Sequence, residues 1–241
     1  MSGQAVRLLT LDLDNTLWET DPVIVKAEKA CHDWIVANVP QAAGFYSLEA
    51  IREYRNQIAA CYPDLRFRVS KLREEVLRRV FMQSGIERDQ AALLAGEAFA
   101  VFYRARSEVT LFDGALQALQ QLSRQYSLIA LTNGNANLQQ IGIRPLFAAH
   151  FSAEDVGAPK PQPDLFHRAL TSAGVSAQQC IHIGDHQEQD IAAAARLGIK
   201  TIWVNLTDAA WAEASCVPDQ EITHLSQLPA AVAALNPDSA G

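Results

Sequence analysis

The sequence predicts an α/β fold: a doubly wound, Rossmann-like parallel sheet with an inserted all-α unit of four helices. Three observations carry that expectation. Four runs, at 6–13, 126–133, 180–185 and 200–205, are continuously apolar rather than alternating, as in strands buried on both faces of a parallel sheet. Helical patterns lie between the later runs, giving the strand–helix alternation of a doubly wound domain. Residues 22 to about 107 break the rhythm, because they contain helical periodicity and no convincing strand.

The first strand run is "VRLLTLDL" (6–13), and its end carries Asp12 and Asp14 within "DLDNT". On an extended chain, residues two apart point the same way, so these carboxylates face one side at a strand end. After it, Asp21 is suited to cap a helix with Pro22 in the first turn, and Val23, Ile24, Ala27, Ala30, Cys31, Trp34 and Ile35 recur at helical spacing. Further helical patterns near 47–61, 69–84 and 89–106 complete a small bundle. The expected division is therefore 1–20 and 108–241 for the α/β core and 21–107 for the helical insertion, with hinges at 17–21 and 107–112.

The sheet resumes near Thr110. A helix over 113–124 places Ala115, Leu116, Leu119 and Leu122 on one stripe, and the strand "YSLIALTN" (126–133) follows, ending in Thr132, Asn133 and Gly134. The loop "GAPKPQPD" holds Lys160 between two prolines, and a helix over 163–173 begins with Pro163 and stops at Gly174. "CIHIGD" (180–185) leads into "GDHQEQD", with Asp185 and Asp190, and an alanine-rich helix over 190–197 stops at Gly198. Asp190 has a plain alternative role as that helix's N-cap. "KTIWVN" (200–205) is the last strand run, and the tail "NPDSAG" is expected to fray.

Bulk properties exclude several classes. The chain has 241 residues, 49% of them hydrophobic, enough for one large domain or two unequal ones. A net charge of -7 argues against nucleic acid, whose phosphate backbone requires basic clusters. Cys31, Cys61, Cys180 and Cys216 form no C-x-x-C pair and no disulfide framework, so a reduced, cytoplasmic setting is expected. "MSGQAVRLLTLDLD" has no long apolar segment before its first acids, so no signal peptide is expected, and no apolar run approaches the roughly 18 residues of a membrane span.

In an open α/β sheet, ligands bind outside the carboxyl ends of the strands. Asp12 and Asp14, the 132–134 segment, Lys160, and Asp185 with Asp190 would converge there, although the sequence separates them widely. Their chemistry fits one task. A carboxylate can attack phosphorus to form an aspartyl-phosphate. A phosphate beside several carboxylates is repelled by about 4 kcal/mol per like-charge contact at 4 Å and an effective dielectric of 20. A hard divalent ion such as Mg²⁺ takes oxygen ligands and offsets that repulsion, and Lys160 adds a fixed positive charge. The Thr132 hydroxyl and nearby backbone N–H groups can hold phosphoryl oxygens. Asp14 remains for acid and base work.

This constellation resembles the haloacid dehalogenase superfamily in its phosphatase branch. The matching segments are "DLDNT" (12–16), "LTNG" (131–134), "PKP" (159–161) and "GDHQEQD" (184–190), in the family's order, with the helical insertion in the place of the family's cap domain. The resemblance implies Asp12 as nucleophile and Asp14 as general acid/base. It implies Mg²⁺ held by Asp12, the backbone carbonyl of Asp14, and Asp185, with Asp190 as a direct or water-mediated partner. Thr132, Asn133, Gly134 and Lys160 would hold the phosphate. Family members that dehalogenate 2-haloacids without metal typically lack an acid at the position of Asp14, so its presence favours phosphate esters.

"DLDNTLWETDPVI", "LRFRVSKLREE" and "LTNGN" are similar to a bacterial subgroup acting on flavin mononucleotide and on the phosphorylated ribitylaminouracil of riboflavin synthesis. Trp18, Arg66, Phe67 and Arg68 are the candidate substrate contacts; an aromatic such as Trp18 or Phe67 could stack on a flat ring. The expected partner is a small-molecule phosphate ester, with no nucleic acid and no membrane, for a monomer or weak homodimer. Alternatives are a phosphatase of sugar phosphates or nucleotides, a phosphomutase, and a receiver-like signalling module, which also joins clustered acids, a Thr and a Lys on a doubly wound sheet. A receiver needs neither the second acid at the first strand end nor the helical insertion.

Overall fold

A computed structural model describes residues 5–212 and 216–236. The chain divides into two compact units, one comprising Met1–Glu19, Thr110–Gly134 and Gly142–Gly241, the other Thr20–Val109 and Asn135–Ile141. Residues 237–241 of the tail expected to fray lie outside the described residues.

The second unit is helical. Its helices are α1 (Thr20–Asn38), α2 (Leu48–Cys61), α3 (Val69–Gln83) and α4 (Arg88–Arg106), with 3₁₀ turns at Pro40–Phe45 and Pro63–Leu65. The apolar stripe predicted from Val23 to Ile35 does face inward: Ala27, Cys31 and Ile35 are fully buried. α4 packs against both α1 and α3. It meets them with Ala91, Ala95 and Ala98, small residues that let helix axes approach, before Phe102 fills the end of the core. α1 starts at Thr20, so Asp21 and Pro22 both lie inside its first turn.

The first unit contains a six-stranded sheet in the order β3-β2-β1-β4-β5-β6. Its strands are β1 (Leu8–Leu11), β2 (Ser127–Thr132), β3 (Ala149–Ser152), β4 (Cys180–Gly184), β5 (Lys200–Val204) and β6 (Gln220–Ile222), and every neighbouring pair is parallel. The chain winds from β1 outward through β2 to β3, then returns to the far side of β1 for β4, β5 and β6. The switch therefore falls at β1, and the crevice at its carboxyl end is where such sheets bind ligands. β1 and β4 are buried along their whole length, as their unbroken apolar runs predict.

Helices Ala115–Leu122 (α5) and Asp164–Ala173 fall within the segments predicted for them; the second ends at Gly174, whose φ of 63° is the left-handed conformation a glycine cap supplies. Several described elements carried no readable signal, two strands and a helix among them. β3 is a half-buried edge strand, "AHFS"; β6 is three residues with Glu221 exposed; and the helix Leu228–Leu235 opens on a Leu-Pro step. The alanine-rich segment also departs from a plain helix. Gln187–Ala192 winds as a π-helix before Ala193–Arg196 continues as α, so Asp190 sits inside the turn and His186 is the N-cap. Among the described residues no helix is long and apolar enough to cross a membrane.

Candidate active site

The site is built at the carboxyl ends of β1, β2 and β4. β1 stops at Leu11, and the Asp12 N–H continues the ladder by donating to the Ile183 carbonyl of β4 at 2.9 Å. This holds Asp12 at the switch point with only 7% of its surface exposed. The chain then turns over Leu13–Trp18. Asn15 takes a φ of 61° there, a left-handed conformation Asn tolerates better than most residues. Its N–H donates to the Trp18 carbonyl at 2.8 Å. The Trp18 indole N–H donates to Asp14 Oδ1 at 3.0 Å, so the tight turn orients the second acid of the pair.

Lys160 joins the far segments to this strand end. Its buried ammonium donates to Asp12 Oδ1 at 2.6 Å, to Asp190 Oδ1 at 2.6 Å and to the Leu131 carbonyl of β2 at 2.9 Å. All three ammonium protons thus have acceptors. Asn133 clamps the lysine's backbone from both sides: its Oδ1 accepts from the Lys160 N–H at 2.8 Å and its Nδ2 donates to the Lys160 carbonyl at 2.9 Å. The same Nδ2 reaches Gln189 Oε1 at 2.9 Å. The buried Thr132 hydroxyl accepts from the Gly134 N–H at 2.9 Å, which shapes the turn leaving β2.

Asp190 reaches inward because the π turn carries it over β4. A Cβ on Gly184 would lie 2.4 Å from its Cγ, so no other residue fits at that position. Its Oδ2 accepts from the His186 N–H at 3.0 Å. The His186 ring caps the same turn, with Nδ1 accepting from the Glu188 and Gln189 N–H groups at 3.2 Å each. Asp185 is held by Thr16: the hydroxyl lies 3.0 Å from Asp185 Oδ1 and 3.1 Å from Asp12 Oδ2, and accepts from the Asp185 N–H at 3.1 Å. The Trp203 indole donates to the Asp185 carbonyl at 2.8 Å.

The electrostatics follow from the crowding. Asp12, Asp185 and Asp190 each offer a carboxylate oxygen, and these atoms lie within 4.8 Å of one another. Burial raises the Asp12 pKa well above the usual carboxylate value; Lys160 opposes the shift, and Asp190 and Asp185 add to it. Burial and the Asp190 charge push Asp185 up to about 6. Burial alone would raise Asp190 too, but Lys160 and His182 more than offset it and hold that carboxyl below its ordinary value. Burial opposes the charge on Lys160, yet the Asp12 and Asp190 carboxylates keep its pKa above that of an ordinary lysine. Three converging acids against one ammonium is an oxygen-donor set with surplus negative charge, which fits a hard divalent cation.

The structure thus brings together Asp12, Thr132, Asn133, Lys160, Asp185 and Asp190, with Asp14 in the turn beside them. Trp18, a candidate for stacking on a flat ring, is fully buried and donates its indole N–H to Asp14. Arg66 and Phe67 lie in a turn of the helical unit and Arg68 is the residue before α3. Three participants went unassigned in the sequence. Thr16 stands inside the "DLDNT" segment, four residues after Asp12, and that spacing was its only signal. His182 reads as one more residue of a buried strand, yet its Nε2 lies 3.2 Å from Asp190 Oδ1; burial lowers its pKa, with Asp190 working against the shift. Trp203 gave no sign beyond its place at the end of β5.

Comparisons with known proteins agree with this architecture. The chain is 26% identical over 227 residues to the Escherichia coli 5-amino-6-(5-phospho-D-ribitylamino)uracil phosphatase YigB, covering 92% of this chain and 94% of that protein. It is 27% identical over 227 residues to a phosphoserine phosphatase of Thermus thermophilus, covering 83% and 89%. Among solved structures, that of a 2-haloacid dehalogenase from Pseudomonas syringae pv. tomato DC3000 superposes with a TM-score of 0.90 at 39% identity, covering 95% of this chain and 99% of that one. The haloacid dehalogenase-like hydrolase family matches residues 6–198, a span that includes all four motif segments, and the chain belongs to that family of hydrolases.

Proposed function

We propose that the protein is a Mg²⁺-dependent phosphomonoester hydrolase working through an aspartyl-phosphate on Asp12. One observation carries the reading: a buried carboxylate, Asp12, lies 2.6 Å from the Lys160 ammonium among converging acids, with a second acid, Asp14, oriented beside it by Trp18. In the first step an Asp12 oxygen attacks phosphorus, the bond from phosphorus to the ester oxygen breaks, and Asp14 gives its proton to the departing alkoxide. In the second, Asp14 takes a proton from water, the water oxygen attacks phosphorus, and the bond to Asp12 breaks to release inorganic phosphate. Lys160 fixes the Asp12 carboxylate and balances charge on the phosphoryl group throughout, while the Thr132 hydroxyl and the Asn133–Gly134 turn border the phosphate. The cation would be held by Asp12, Asp185, the Asp14 carbonyl and, directly or through water, Asp190. When bound, it supplies the positive charge that lets a phosphate approach this acidic site.

The preferred substrate is a flavin mononucleotide or riboflavin-pathway phosphate. Its support is the likeness to the Escherichia coli phosphatase along nearly the whole of both chains. Sugar phosphates and nucleotides are the alternatives. A second reading, dehalogenation of a 2-haloacid, is favoured by the likeness at 39% identity to the Pseudomonas syringae protein of that name. A departing halide needs no proton, so that chemistry gives Asp14 no general-acid task in its first step. One assay separates the readings: phosphate release from flavin mononucleotide, ribitylaminouracil phosphate, simple sugar phosphates and nucleotides, and halide release from 2-haloacids, each with Mg²⁺ and with a chelator. Phosphate release that stops on chelation is expected. Halide release without phosphate release would overturn the phosphatase reading, and equal rates on sugar phosphates and flavin mononucleotide would remove the flavin assignment.

A further inference from the structure

His182 occupies the middle of β4, where the neighbouring residues are Ile181 and Ile183 and nothing is exposed. A ring with two nitrogens is a poor substitute for an aliphatic side chain there unless both nitrogens are matched. They are. Thr10 stands opposite His182 in the β1–β4 register, and its hydroxyl lies 2.9 Å from Nδ1. The hydroxyl's other neighbours, Cys180 Sγ at 3.7 Å and the Ile181 carbonyl at 3.5 Å, are more distant. On the far side of the ring, Nε2 lies 3.2 Å from Asp190 Oδ1, the oxygen that also accepts from Lys160. Phe166 meets the ring edge-on at a centroid distance of 4.9 Å and fixes its plane. A hydroxyl donating to Nδ1 places the ring proton on Nε2, facing the carboxylate. The result is one buried line of polar contacts: Thr10, His182, Asp190, Lys160, Asp12.

We propose that His182 is a positioning residue for the Asp12 chemistry, holding Asp190 Oδ1 as the Nε2–H tautomer and so fixing where Asp190 places the Lys160 ammonium against Asp12. This rests on the reading of Asp12 as the nucleophile. Asp190 is the only member of the line that touches both the histidine and the lysine, so a carboxylate that swings loses its aim on the ammonium. Partners that orient the groups of a site in this way typically contribute about 10–100-fold to activity or metal affinity.

The test uses the full-length protein with Mg²⁺ and whichever phosphate ester it hydrolyses. His182→Leu is expected to lower kcat by about 10–100-fold with KM changed less than about threefold. His182→Gln, which keeps an N–H donor on a side chain of similar reach, should recover most of that loss at a melting temperature matched to the leucine variant; a merely space-filling role predicts no such rescue. Thr10→Val, which keeps volume and removes the hydroxyl, should shift kcat in the same direction by a smaller factor. In the unmutated protein, ¹⁵N NMR of the histidine rings should show His182 protonated on Nε2 and not on Nδ1. A folded His182→Leu protein with kcat within about twofold of the parent, or a proton on Nδ1 instead of Nε2, would overturn the proposal. If His182→Leu does not fold, Thr10→Val and the NMR arm decide it. Asp12→Asn, run alongside, separates the two readings: turnover by that variant refutes the nucleophile, whereas its inactivity beside unaffected His182 variants refutes only the role of His182.

Discussion

Each unit buries a set of charges, and the two sets are balanced differently. In the helical unit Arg73 Nη1 pairs with Glu28 Oε1 at 2.8 Å, Tyr46 donates to Glu28 Oε2 at 2.8 Å, and the guanidinium lies 3.5 Å above the Phe102 ring. One largely buried cation meets one largely buried anion, the exposed Arg55 adds positive charge close by, and the aromatic face and the phenol take the remaining valences. In the α/β unit one ammonium, Lys160, meets Asp12 and Asp190, and Asp185 stands beside them as a third acid. The balanced pair has the form of a structural ion pair. The unbalanced cluster holds negative charge that the fold alone does not offset; burial raises the Asp12 and Asp185 pKa values, the neighbouring carboxylates add to both shifts, and the acids are available to a cation and a phosphoryl group. Like charges left over in a buried place, and not burial alone, separate a site from a strut here.

Removing an acid should therefore have opposite consequences in the two units. The largest effect is expected for Asp12→Asn: turnover falls on the order of 10³-fold or more, because the attacking oxygen is gone. Its melting temperature in chelator should nevertheless not fall, since the neutral amide relieves like-charge crowding. A marked loss of thermal stability would show that the cluster is held together by Asp12 in the way the helical unit is held by its pair. Next is Lys160→Met, which leaves three acids without their cation. We expect a loss of about 3–5 kcal/mol of stability in chelator and about 10²–10³-fold in kcat. Mg²⁺ should restore part of the melting temperature and little of the rate; restoration of both would make the lysine a mere counter-ion.

Glu28→Gln tests the balanced pair. It leaves Arg73 mostly buried without its anion, at a cost of about 2 kcal/mol, or a melting temperature lower by about 4–8 °C. At a temperature where the variant remains folded, kcat on phosphate esters should stay within about threefold of the parent. A large kcat loss with an unchanged melting temperature would reverse the contrast and make this pair part of the functional machinery.

The sequence showed the unbalanced cluster more clearly than the balanced pair, for a physical reason. Asp12, Thr132, Lys160 and Asp185 each sit at a strand end or in a stiff loop, and the strands announce themselves by long apolar runs. Once the sheet is inferred, its carboxyl ends collect whatever polar residues follow those runs. Arg73 carries no such marker, because in the sequence it is one of several basic residues close together, with Arg66, Arg68 and Lys71, and only the packing of α1 against the rest of the bundle selects it for Glu28. His182 was hidden differently: it is inside a strand run, where its polarity is cancelled by Thr10 and Asp190, one on a neighbouring strand and one on the following turn. Edge strands β3 and β6 and the π turn were illegible because their residues are half-exposed or wound against the local pattern. Asp190's reach into the site depends on that turn and on the bare Cα of Gly184.

The smallest effect is a pH dependence that the balanced pair should lack. Asp185 in the metal-free fold titrates at about 6, above the roughly 3.9 of an unfolded aspartate. Between those values the folded state holds a proton that the unfolded state has released. Stability of the metal-free protein contributed by this residue is therefore fully present below about 3.9 and lost as pH rises through about 6. A divalent ion competes with the same proton. Its apparent affinity should weaken about tenfold for each pH unit below the Asp185 pKa, with Asp12, also raised by burial, adding to the dependence. The measurement is the rise in melting temperature on adding Mg²⁺, taken at steps from pH 5 to pH 7.5 in the parent and in Asp185→Asn. The parent should show a Mg²⁺-dependent rise that grows across this range; the variant should show a smaller rise with a shallower slope. Glu28→Gln should keep the parent's slope, because its charge lies outside the cluster. A parent curve flat across the range would mean that Asp185 does not release a proton to the metal, and that the surplus charge is relieved by some other group.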